Sequence, residues 1–131
     1  MGARRFICGR RTLVPKVLVR TALDLARADD AHTYAREDVF TALVCTIEHK
    51  GPVHYGAALN LRGPEAGTLW ALWRDGEAPH AVIEIPDCPG RRAEDACSEF
   101  QGHPGGHSWE LVDPPRLAAA FPLRLSHPPR P

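Results

Sequence analysis

The segment from Pro86 to Trp109 limits the fold more than any other part of the chain. It holds few large apolar residues, so burial alone gives it little reason to adopt one conformation. What it holds instead are Cys88, Cys97, His103 and His107, the last three within the glycine-rich run "CSEFQGHPGGHSW". An earlier stretch, "CTIEHKGPVHYG", repeats the order with Cys45, His49 and His54. Each cluster runs from a cysteine through a short spacer to a histidine, then through a loop of glycine and proline to a second histidine. A metal ion would give that order a purpose.

Zn2+ favours four tetrahedral ligands, with thiolate at ~2.3 Å and imidazole at ~2.0–2.1 Å. Glycine lets the backbone fold back tightly enough to bring nearby ligands to one point. The most local set is Cys88, Cys97, His103 and His107, which predicts one structural zinc site. The alternative joins the two clusters across a sheet, with Cys45 and one of His49 or His54 meeting Cys97 and one of His103 or His107. One site is the economical reading, and Cys8, in a basic arm without nearby partners, stays outside it. His80 and His127 read as surface residues. The Cys88–Cys97 spacing matches no standard zinc-finger signature, and the chain has no CxxC.

The run "GHPGGHSW" at Gly102–Trp109, preceded by Cys97, resembles a pattern in short uncharacterised proteins of GC-rich bacteria and their phages. There a cysteine is followed by GHxGxH and an aromatic residue. This chain has Gly106 where a proline often precedes the second histidine. The resemblance implies a small zinc-binding-like domain and brings no catalytic residues.

Elsewhere the pattern is that of an α+β chain. Between Thr12 and Ala28, Val14, Val17, Leu18, Ala22 and Leu25 recur at helical spacing, with Thr12 as the expected N-cap. "YAREDVFTALV" reads as a short helix or a helix running into a strand. "TLWALWRDGEAPHAVIEI" reads as a β-hairpin turning at Asp75 and Gly76, with Ala81, Ile83 and Ile85 sharing one face. One helical turn is expected at Arg91–Ala96, and "HSWELV" as a last strand. The expected fold is an N-terminal helical region followed by a small antiparallel sheet of three or four strands with a Cys/His loop. Residues 1–33 would be a basic arm and amphipathic helix, 34–112 the folded domain with the zinc site. Residues 113–131 would be a proline-rich, poorly ordered tail with a helical turn near Leu117–Phe121.

At 131 residues, formal net charge +0 and pI near 7.0, the chain has no overall polyanion-binding footprint. No stretch is long and apolar enough to span a membrane, and no export signal is legible, so a cytoplasmic protein with reduced thiols is expected. The leading expectation is a non-enzymatic, zinc-stabilised binding or accessory module for an unknown macromolecular partner. A nucleic-acid binder, using the basic arm and exposed Trp70 and Trp73, is the first rival. A small metal-dependent or thiol enzyme is the second, with Cys97 or Cys45 as nucleophile and His107 or His54 as base. No sequence signature supports either pairing, and Glu48 beside His49 lacks the HExxH spacing of a zinc hydrolase.

Overall fold

The computed structural model describes residues 5–28, 32–63 and 67–114. The chain enters as β1 (Arg11–Leu13), then forms α1 (Lys16–Arg27) and a 3-10 turn at Arg36–Asp38. Four strands follow: β2 (Ala42–Val44), β3 (Val53–Asn60), β4 (Thr68–Arg74) and β5 (Ala81–Ile85). A miniature ladder of β6 (Arg91–Arg92) and β7 (Asp95–Ala96) and a second 3-10 turn at Ser108–Glu110 complete the described chain.

The strands form three small antiparallel sheets, ordered β1-β2, β3-β4-β5 and β6-β7. This corrects the expected helical region leading into one sheet of three or four strands. Among the described residues there are seven strands and one α-helix, and the N-terminal region opens on a strand. Thr12, the expected N-cap, lies in β1 opposite Leu43, and Pro15 caps α1 instead. Proline suits that boundary, because its fixed φ and missing N–H cost nothing where the helix has no earlier acceptor.

The hairpin of β4 and β5 forms as expected, though through a loop longer than a two-residue turn, with Leu72 paired to Ala81. Its faces differ from the alternation read in the sequence. Val82 turns inward, while Ile83 is 41% exposed. The Arg91–Ala96 segment is a two-stranded ladder rather than a helical turn, and "HSWELV" is a 3-10 turn with Val112 bridged to Phe6. The expected turn near Leu117–Phe121 lies outside the described residues, as does most of the expected tail.

The core explains how the N-terminal elements are held. Leu18, Val19, Ala22, Leu23 and Ala26 of α1 join Leu43, Ile47, Leu59, Leu69 and Trp70 in one buried cluster. A bulge between Ala57 and Leu59 buries Ala57, Ala58 and Leu59 in succession. It also turns the Ala58 carbonyl toward the Phe40 N–H, which donates to it at 2.8 Å. Helix α1 therefore packs on the sheet rather than trailing from it.

Candidate metal centres

Each of the two small ladders carries a cysteine just outside each of its strands. Cys8 precedes β1 and Cys45 follows β2; Cys88 precedes β6 and Cys97 follows β7. Backbone pairing extends past the strands in the same way in both. The Cys8 N–H donates to the carbonyl of Ile47, two residues beyond Cys45, at 2.7 Å. The Cys88 N–H donates to the carbonyl of Glu99, two residues beyond Cys97, at 2.9 Å. The strands of the first ladder are one residue longer, and α1 and a 3-10 turn are inserted between β1 and β2.

Two histidines after the second cysteine then return to each pair of thiols. Cys8 Sγ lies 3.4 Å from His54 Nδ1, and Cys88 Sγ lies 3.6 Å from His107 Nδ1. Cys45 Sγ lies 3.3 Å from His49 Nε2, and Cys97 Sγ lies 3.5 Å from His103 Nε2. The pairing of cysteine order, histidine order and ring nitrogen is the same in both clusters. Further, the N–H of the residue after the second histidine reaches the second sulfur in each: Tyr55 to Cys45 at 3.5 Å and Ser108 to Cys97 at 3.4 Å. The two centres are one design built twice.

Within each quartet the four ligand atoms lie within 4.8 Å of one another. Sulfur at ~2.3 Å and nitrogen at ~2.05 Å from a common centre, held at tetrahedral angles, would be ~3.6 Å apart. The four S···N distances match that edge. A lone Cys–His hydrogen bond accounts for one such distance, but not for two thiols and two imidazoles converging on a point.

In His54 and His103 the other ring nitrogen is held as a ligand histidine requires. His54 Nε2 lies 2.6 Å from the Asp75 carboxylate, and His103 Nδ1 lies 3.1 Å from the Pro104 carbonyl oxygen. An N–H at those positions leaves His54 Nδ1 and His103 Nε2 free to coordinate. The thiols of the first centre differ sharply. The hydrogen bond from Cys45 lowers Cys8 to about 5, whereas burial and that same contact push Cys45 up. Burial also raises Cys88. A cation drawn to either centre would displace the thiol protons, which burial favours at Cys45 and Cys88.

Both centres rest on β4. His54 packs on Trp73 with ring centroids 5.5 Å apart, and Phe100 links His103 to Trp70 across 6.2 and 5.1 Å. The loops also contact each other. Glu48, just before His49, accepts from the Arg5 guanidinium and from the N–H of Gly106, just before His107. Beneath them the Thr46 hydroxyl donates to the buried Glu99 carboxylate at 2.9 Å.

The structure therefore brings Cys88, Cys97, His103 and His107 together as one local quartet. It places Cys45, His49 and His54 around Cys8, not around Cys97. Cys8 was missed because β1, α1 and a 3-10 turn separate it from its partners. Its signal was arithmetic: adding it makes eight ligands in two runs of Cys, Cys, His, His. His80 is exposed, and His127 lies outside the described residues. No family model, curated protein or solved structure matches the chain.

Proposed function

We propose that the chain is a zinc-stabilised, non-enzymatic binding or accessory module in which each Cys/Cys/His/His quartet holds one Zn2+. The observation that carries this reading is the repetition of the quartet, atom type by atom type, on two separate ladders. Four protein ligands fill a tetrahedral ion and leave no position for water or substrate, which is the structural rather than the catalytic arrangement. Two thiolates and two imidazoles suit Zn2+ better than the hard cations, which prefer oxygen. The segment with the GHxGxH resemblance supplies His103 and His107 to one of these quartets.

The rival readings lose specific supports. Trp70 and Trp73 are buried, so neither offers a face to a nucleobase. Cys45 and Cys97 are buried as well, and each faces a second cysteine rather than an open cleft. Cobalt substitution tests the proposal. Co2+ in an S2N2 tetrahedron gives intense visible d–d bands and a thiolate charge-transfer band, and zinc should bleach both. Weak octahedral bands, or none, would overturn it.

A further inference from the structure

Helix α1 turns about 100° per residue, which sorts its side chains into three stripes. Leu18, Val19, Ala22, Leu23 and Ala26 face the core. Lys16, Arg20 and Arg27 run along one flank, and Val17, Thr21 and Leu25 along the solvent face beside it. Leu13 and Val17 are 71% and 69% exposed, and Leu25 is 45% exposed. On the cationic flank, Arg36 closes a groove of about 350 Å³ against the helix. Among the described residues, the exposed Lys16, Arg20, Arg27 and Arg36 form its rim, the buried Val19 and Leu23 its floor, and Asp24 is the one acid lining it. Lys16, Arg20 and Arg36 make no ion pair with a described residue. Arg27 is braced, its guanidinium donating to the Tyr34 carbonyl oxygen.

We propose that this groove and the adjoining apolar stripe dock an acidic amphipathic segment of another protein, bound as a helix alongside α1. The proposal names the partner class that the module reading leaves open. Charge complementarity selects an acid, and the apolar stripe selects a side chain rather than a phosphate. A nucleic-acid backbone would neutralise the rim yet leave Val17 and Leu13 uncovered. A flat bilayer cannot enter a groove walled by Arg36 on one side and α1 on the other. A second copy of α1 would set cations against cations, and residues 115–131 carry arginines and no acid. An amphipathic helix places leucines at i, i+3 and i+7 on the stripe and glutamates on the rim.

The test uses the full, isotopically labelled chain and a synthetic helical peptide with leucines on one face flanked by glutamates. Saturable binding should perturb amides of α1 and of Arg36–Asp38. Arg20→Glu and Val17→Ser should each weaken it by about fivefold or more, while Arg91→Glu, on another surface, leaves it unchanged. Absence of saturable binding overturns the proposal. Equal binding by a peptide with serines in place of the leucines also does, since a bare cationic patch would then suffice. Tighter binding to an oligothymidine or to phosphatidylglycerol vesicles at the same residues overturns it in favour of those ligands. Zinc content, measured on the same samples, separates the two readings. Binding without zinc sinks only the metal reading, and zinc without binding sinks only the docking site.

Discussion

Cys8 Sγ stands 3.4 Å from His54 Nδ1, a contact between residues 46 positions apart in sequence. It brings the segment just before β1 into a candidate ligand set otherwise drawn from the Cys45–His54 stretch. Cys8→Ser should therefore halve the zinc content while leaving the Cys88 quartet loaded. Cys88→Ser should do the reverse. Elemental analysis of each variant, with the double variant near zero, checks both.

Asp75 supports one centre; among the described residues no carboxylate takes that place at the His107 ring, which stacks on Trp109 with centroids 4.7 Å apart. A carboxylate behind a ligand histidine fixes its tautomer and raises its basicity, and losing one costs about 10–100-fold in metal affinity. Asp75→Asn should lower the affinity of the Cys8 centre by that factor and leave the other unchanged. Competition with a chromogenic chelator, run on the wild type and on the Cys88→Ser background, separates the two.

Gly105 has a φ of +74°, and an added Cβ would collide with the Glu48 carbonyl oxygen. Gly102 has a similar φ of +81° but open space around it. Gly102→Ala should thus cost about 1 kcal/mol from backbone strain alone, and Gly105→Ala about 2–3 kcal/mol from strain and displacement of the neighbouring loop. Thermal melts of the two variants, compared with the parent, test that order.

The Arg5 hydrogen bond, then the Gly106 N–H, hold the Glu48 carboxyl below the usual carboxylate range. A group whose pKa is depressed on folding contributes stability above its unfolded value and loses it as pH falls through the folded one. The contact between the loops should therefore weaken below about pH 4. Ligand protonation destabilises the parent and Glu48→Gln alike, so the difference between them isolates Glu48. The variant should melt lower at neutral pH, and the gap should close in acid.

What could be read from the sequence followed from how local each feature was. The quartet of Cys88, Cys97, His103 and His107 lies within one short loop, so spacing alone proposed it. The β4-β5 hairpin was legible because Asp75 and Gly76 punctuate two apolar runs. Cys8 was not legible, because its ladder is closed by an insertion that includes a helix. The alternation in β5 misled because Ile83 follows the period while Val82 meets the core. Trp70 and Trp73 lie on opposite faces of β4, and both are buried because the second tryptophan packs on His54 of a Cys/His loop, a partner that no periodicity describes. The miniature β6-β7 ladder has almost no apolar signal, and the cysteines at its ends define it.

The number of zinc ions bound by the full chain decides whether both quartets are metal centres. Native mass spectrometry of protein purified without a histidine tag or chelator should show two zinc ions per chain, both lost together with thiol protection when the protein is acidified. A chain carrying no metal, or one that stays at a single ion when zinc is supplied in excess, would rule out two closed zinc centres.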